Sequence, residues 1–123
     1  MGMKKKILIV DDEPSILRLL SKRLKDNGYE TFTADDSYQC IQITREVKPD
    51  LILLDMQMPA GGGLQAFESL KASVYTSTIP IIFITALPGE DVKNLIMEIG
   101  ADGYFQKPFK FVELQKIIKE IIG

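Results

Sequence analysis

Short apolar runs alternate with stretches of helical periodicity along the whole chain. Ile7-Leu8-Ile9-Val10, Leu51-Ile52-Leu53-Leu54 and Pro80 to Ile84 have the near-continuous apolar character of strands buried on both faces of a parallel sheet. Tyr29 to Ala34 alternates and is rich in threonine and aromatics, which suits a strand nearer an edge, and Gly103 to Gln106 reads as a short fifth strand. Between them lie five helical patterns. Ile16, Leu17, Leu19, Leu20 and Leu24 follow Pro14, a residue suited to a first helical turn, and Asn27-Gly28 closes that segment. Asp36 to Glu46 predicts a second helix, with Ile41 and Val47 among its core candidates and Pro49 marking its end. After the turn cluster Pro59-Ala60-Gly61-Gly62-Gly63, the spacing of Leu64, Phe67 and Leu70 predicts a third. Val92, Leu95, Ile96 and Ile99 mark a fourth, ended by Gly100, and Phe111, Leu114, Ile117, Ile118, Ile121 and Ile122 form the apolar stripe of a fifth.

Strict alternation of strand and helix requires right-handed crossovers and a parallel sheet covered on both faces. The predicted fold is therefore α/β: a doubly wound, five-stranded parallel sheet with five helices, flavodoxin-like, in the strand order 2-1-3-4-5. A length of 123 residues fits one such domain.

Composition removes several kinds of chemistry. The chain has no histidine, which excludes Ser-His-Asp and Cys-His catalysis and histidine-ligated zinc. Its single cysteine, Cys40, can form neither an internal disulfide nor a cysteine metal site, and is expected to be a small buried residue without a redox role. Fifteen Lys+Arg against seventeen Asp+Glu give a net charge of −2, which argues against a strongly basic nucleic-acid binder. Lys4-Lys5-Lys6 precedes an apolar run that stops at Asp11, too short for a signal peptide, and no stretch approaches a membrane span. A cytoplasmic location is expected, with Met3 as a native start behind an added Met-Gly.

In doubly wound folds the functional site lies outside the carboxyl ends of the strands. There the first strand delivers Asp11-Asp12-Glu13, the third Asp55, the fourth Thr85 and the fifth Gln106-Lys107-Pro108. Carboxylates crowded together cannot all remain ionised without a cation. Hard oxygen donors without His or Cys point to Mg²⁺ or Mn²⁺. A carboxylate beside such an ion, with a lysine and a hydroxyl nearby, is suited to receive a phosphoryl group.

In combination these residues resemble the receiver domain of two-component response regulators, chemotaxis regulators included. The motifs are Asp11-Asp12, Asp55-Met56-Gln57-Met58-Pro59, Thr85-Ala86 and Lys107-Pro108-Phe109, each at the expected strand end. The resemblance runs from Lys5 to Ile122 and implies one receiver domain over residues 4–123. It implies Asp55 as phosphoacceptor, Asp11 and Asp12 as the acidic pair that places Mg²⁺, and Asp55 and the main-chain carbonyl of Gln57 as further ligands. Thr85 corresponds to the switch hydroxyl, Tyr104 to the switch aromatic, and Lys107 to the lysine that pairs with the acceptor and then with its phosphoryl group. The Lys107–Pro108 peptide is expected to be cis.

The resemblance further implies a sensor histidine kinase or phosphotransfer protein as donor, and a downstream output protein or domain as receiver of the signal. That signal would pass through the face formed by the fourth helix, fifth strand and fifth helix. Neither nucleic acid nor membrane is expected to be contacted directly. The chain is expected to be a monomer before phosphorylation and a candidate dimer after it. It is not expected to be an enzyme beyond catalysing its own phosphoryl transfer and dephosphorylation. Leu87 cannot orient an attacking water whereas the Gln57 amide can, so an aspartyl phosphate of middling lifetime is expected.

Other functions fit less well. Phosphohydrolases with an aspartyl nucleophile carry a second Asp two residues on, where this chain has Gln57. A flavodoxin's hydroxyl-rich phosphate loop is replaced by Asp11-Asp12-Glu13, which repels phosphate. A receiver-fold docking module that acts without phosphorylation keeps the fold and gives no reason for the acidic pair, Thr85 and Lys107.

Overall fold

In a computed structural model that describes residues 3–58 and 62–123, five strands and five helices alternate. They are β1 (Lys6–Val10), α1 (Pro14–Asp26), β2 (Glu30–Ala34), α2 (Ser37–Val47), β3 (Leu51–Asp55), α3 (Gly62–Ala72), β4 (Ile81–Thr85), α4 (Glu90–Glu98), β5 (Gly103–Gln106) and α5 (Phe111–Ile122). The strands form one sheet in the order β2-β1-β3-β4-β5, and each neighbouring pair is parallel. Pro59, Ala60 and Gly61 of the expected turn cluster lie outside the described residues.

Period-two alternation splits the buried strands between two cores. Ile7, Ile9, Leu51, Leu53, Ile82 and Ile84 face α1 and α5, where they meet Leu20, Leu24, Leu114 and Ile118. Leu8, Val10, Ile52, Leu54, Ile81 and Phe83 face α2, α3 and α4, packing against Cys40, Phe67, Leu70 and Ile96. Cys40 is fully buried, and burial pushes its thiol up to about 12, so it stays protonated and inert at neutral pH.

Element ends differ from the sequence pattern where local chemistry intervenes. Pro80 precedes β4 instead of opening it, since it has no N–H to offer; its carbonyl accepts from the Ile52 amide at 3.0 Å. Asp36 is the N-cap of α2, accepting the Gln39 amide at 2.8 Å, so the helix proper begins at Ser37. Leu19 on α1 and Leu95 and Ile99 of the fourth helical pattern are exposed, although their spacing suits a core. On α4 only Ile96 is buried.

At the amino edge of the sheet the same device occurs twice. Asp50, just before β3, accepts the Lys6 amide on its carboxylate at 2.8 Å and donates its own amide to the Lys6 carbonyl at 2.8 Å. Asp102, just before β5, does the same with Ile81, at 2.9 Å in both directions. Each aspartate thus ties the first residue of its neighbour strand and sets the register of the pair.

Asp50→Ala should therefore lower unfolding free energy by about 1–3 kcal/mol, the worth of a charged hydrogen bond to a backbone amide. Asp50→Asn, which keeps an accepting oxygen, should lose less. Urea unfolding checks both, and an unchanged midpoint in Asp50→Ala would count against the clamp.

Candidate functional site

Parallel register is what assembles the site. Val10 pairs with Leu54, Asp55 with Ile84, and Thr85 with Gln106, so four strands end at one level. The residues at those ends, Asp11, Asp55, Thr85 and Lys107, share one rim. Asp11 and Thr85 are fully buried and Asp55 nearly so, while Asp12 is exposed.

Three carboxylates converge here. One oxygen each from Asp11, Asp12 and Asp55 lies within 4.8 Å of the others. The donor set is hard oxygen, part buried and part open to solvent, and it fits a divalent cation such as Mg²⁺ that keeps some of its waters. Backbone amides hold two of the carboxylates in place: Glu13 N–H donates to Asp11 Oδ1 at 2.9 Å, and Gln57 N–H donates to Asp55 Oδ1 at 3.1 Å.

Lys107 reaches into the cluster from β5. Its Nζ lies 2.7 Å from Asp11 Oδ2, 3.0 Å from Glu13 Oε1 and 3.5 Å from Asp55 Oδ2. The lysine expected to pair with the acceptor therefore makes its shortest contact with Asp11 and shares itself with Glu13. Burial disfavours its charge, but the hydrogen bonds to Asp11 and Glu13 and the charges of Asp11 and Asp55 outweigh that and hold it above the ordinary lysine range. Backbone bonds fix its entry: Lys107 N–H donates to the Thr85 carbonyl at 2.7 Å, and the following Lys107–Pro108 peptide is cis, as expected.

The other expected residues stand at different distances from this centre. The Thr85 hydroxyl accepts the Leu87 amide at 3.0 Å, which leaves its proton free to be donated elsewhere. Gln57 is exposed and meets the centre through its amide. Tyr104 is half-buried on β5, opposite Phe83, and packs against the core on the α4 side, away from the carboxylates. Glu13 was legible only as an acid at a helix start; its position in front of Pro14, where it caps no amide, was the available signal that its side chain is used elsewhere.

Gly63, in the first turn of α3, presses on the end of β3 from behind. A Cβ there would stand 2.1 Å from the Asp55 carbonyl oxygen, and the Gly63 amide donates to the Met56 carbonyl at 2.9 Å. Only a residue without a side chain allows this approach.

Burial, above all, raises the Asp55 carboxyl from an ordinary 3.8 to about 6; the Gln57 amide opposes the rise, the Asp11 charge adds to it and Lys107 opposes it. An acid whose folded value lies above its unfolded one costs stability once ionised. The cost is absent below about pH 4, grows as pH rises through 6 and is complete above it. In the metal-free protein Asp55→Asn should therefore raise the melting temperature at pH 8, by roughly 5 °C. The gain should shrink as the pH is lowered toward 4; a gain independent of pH would contradict the assignment. Gly63→Ala should cost about 1–3 kcal/mol, because the carbonyl it meets is backbone and must move; denaturant melts read this directly.

Comparisons with known proteins agree with this geometry. The family model for the response regulator receiver domain matches residues 7–119. The alkaline phosphatase synthesis transcriptional regulatory protein PhoP of Bacillus subtilis is 39% identical over 120 residues, covering 98% of this chain and 49% of that protein. The phosphate regulon transcriptional regulatory protein PhoB of Pseudomonas aeruginosa is 41% identical over 118 residues, covering 96% and 52%. The chain thus spans about half the length of the curated relatives it matches. Among solved structures, the non-phosphorylated HemR receiver domain from Leptospira biflexa superposes with a TM-score of 0.87 at 27% identity, over 98% of this chain and 95% of that one. Chemotaxis protein CheY4 of Vibrio cholerae gives 0.89 at 28%, over 97% and 99%. With its fold, its acidic rim and its sequence in agreement, the chain belongs to the receiver domain family of two-component response regulators.

Proposed function

We propose that the chain is a phosphorylation-switched signalling module with Asp55 as acceptor. The observation that carries this reading is the meeting of Asp11, Asp12 and Asp55 within 4.8 Å, with the Lys107 ammonium shared among Asp11, Glu13 and Asp55. Such a set can hold a divalent ion and neutralise an arriving phosphoryl group, and it serves no evident purpose in the core.

In the proposed step an Asp55 carboxylate oxygen attacks the phosphorus of a phosphohistidine on a sensor kinase or phosphotransfer protein. A P–O bond forms as the P–N bond breaks, and the imidazole leaves with the electron pair. Asp11, Asp12, Asp55 and the Gln57 carbonyl would hold Mg²⁺, or Mn²⁺ in its place. Such an ion supplies charge neutralisation to the phosphoryl oxygens. Lys107 pairs with the same oxygens. Attack by water on the phosphorus later returns the carboxylate and releases inorganic phosphate. The chain acts on no other substrate and is not an enzyme in the ordinary sense.

The donor has a place to approach. A groove of about 540 Å³ opens beside Lys107, walled by Ile16, Leu19, Arg23, Phe109 and Phe111. The exposure of Leu19 makes sense as part of this wall. It suits a partner helix with an apolar face.

For output, the Thr85 hydroxyl would donate to a phosphoryl oxygen and Tyr104 would turn inward, shifting the population of two states of the α4-β5-α5 face. The helices of that face expose the apolar side chains Leu95 and Val112, with Ile99 just beyond α4, which a partner would cover. The named relatives are transcriptional regulators of about twice this length, so the natural receiver of the signal is an output domain or protein that controls transcription. Among the described residues no helix is long and apolar enough to cross a membrane.

Incubation with acetyl phosphate and Mg²⁺ should add a single phosphoryl mass. The adduct should be absent without the metal, absent in Asp55→Asn, and formed at least about tenfold more slowly in Lys107→Ala, since a charged contact to the transferring group is worth more than about 1.4 kcal/mol. Intact-mass spectrometry decides. An adduct that persists in Asp55→Asn would overturn the site; no adduct with either acetyl phosphate or a kinase donor would favour a docking module that works unphosphorylated.

A further inference from the structure

Lys107 has three N–H donors and three carboxylate acceptors within reach, so its hydrogen-bonding capacity is filled before any phosphoryl group arrives. A phosphoryl oxygen on Asp55 can be met only if one of the present contacts is released. The three differ in what release costs. The Asp11 carboxylate is fully buried and needs a cation beside it: the lysine at rest, and Mg²⁺ once such an ion is held there. Asp55 is where the phosphoryl group forms. The Glu13 side chain is 54% exposed, and water can replace the lysine there at little cost.

Glu13 is also placed for this contact by its backbone. It is the N-cap residue of α1, with its carbonyl accepting from Ile16 and Leu17 at 3.0 and 3.2 Å and its amide donating to Asp11 Oδ1 at 2.9 Å. Its carboxylate makes no capping bond, unlike that of Asp36 at the start of α2. Asp11, Glu13 and Lys107 thus close a ring in which the main chain of Glu13 is fixed by the acid whose lysine its side chain shares.

We propose that Glu13 is a positioning residue that holds Lys107 in the resting state and competes for it with the phosphoryl group forming on Asp55. The inference rests on the reading of Asp55 as acceptor. Glu13 acts through Lys107 as a tether: it draws the ammonium toward the β1–α1 loop, so phosphorylation proceeds against this pull. Removing the tether favours the phosphorylated arrangement, and the effect is that of one exposed ion pair.

Two variants separate the tether from a simple change of charge. Glu13→Gln removes the charge; Glu13→Asp keeps it on a shorter arm. Both sit on an exposed side chain and leave the core intact. With acetyl phosphate at saturating Mg²⁺, both should be phosphorylated about two- to fivefold faster than the parent chain. In the unphosphorylated, metal-free proteins the Lys107 Nζ resonance, assigned with Lys107→Arg, should move in both variants. A faster Glu13→Gln with Glu13→Asp at the parental rate and an unmoved Lys107 resonance would overturn the tether and leave only a field effect. Unchanged rates in both would overturn it as well. If the parent chain takes no phosphoryl group, the acceptor reading fails on its own, while a resonance unmoved in both variants would still refute the resting contact.

Discussion

A cation held between carboxylates at the end of a parallel sheet is the interaction on which the rest of this structure depends. Asp11 and Asp55 are both buried, on adjacent strands whose register brings their ends level. Two such charges repel strongly in a medium of low polarity. The Lys107 ammonium relieves that repulsion from a third strand end, and backbone amides of Glu13 and Gln57 relieve it from the loops. The tension is reduced without being removed: the Asp55 carboxyl still sits at about 6. A site built this way is pre-organised to accept further positive charge, and the Asp55 carboxylate lies among groups already aimed at it.

Much of this was legible in the chain because two signals coincide in it. Runs such as Ile7 to Val10 and Leu51 to Leu54 have no polar face, which demands cover on both sides, and polar residues appear abruptly where each run stops. The strand ends therefore announced both the fold and the rim. What stayed hidden was partnership. Sequence spacing gives no account of which of three acids a lysine will prefer, and the preference for Asp11 follows from burial and from a 2.7 Å approach that only the folded rim defines. The close contact of Gly63 with the Asp55 carbonyl was hidden for the same reason, since one glycine in a glycine-rich stretch looks like another until the backbone behind it is placed.

Leu19, Leu95 and Ile99 mark their helices as expected, and their exposure stayed hidden for a different reason. Periodicity reports that a face is apolar and is silent about whether the protein or a partner covers it. On α4 Ile96 is the one buried residue, with Val92 packed against the same core. The helix lies next to β5, where Tyr104 is only half-buried. Leu95 and Met97 of the same helix stay open to solvent.

The aspartates at the opposite edge complete that division of labour. Asp50 and Asp102 fasten the amino ends of β1 and β4 to their neighbours, while the carboxyl ends terminate in side-chain contacts that can be exchanged. Mechanically the sheet is pinned by side chains at one edge, while at the other its strands are tied by single backbone bonds such as that from the Lys107 amide to the Thr85 carbonyl. A slip by one residue would swap every strand side chain between the two cores; the aspartates oppose it where the strands begin, so the strands keep count.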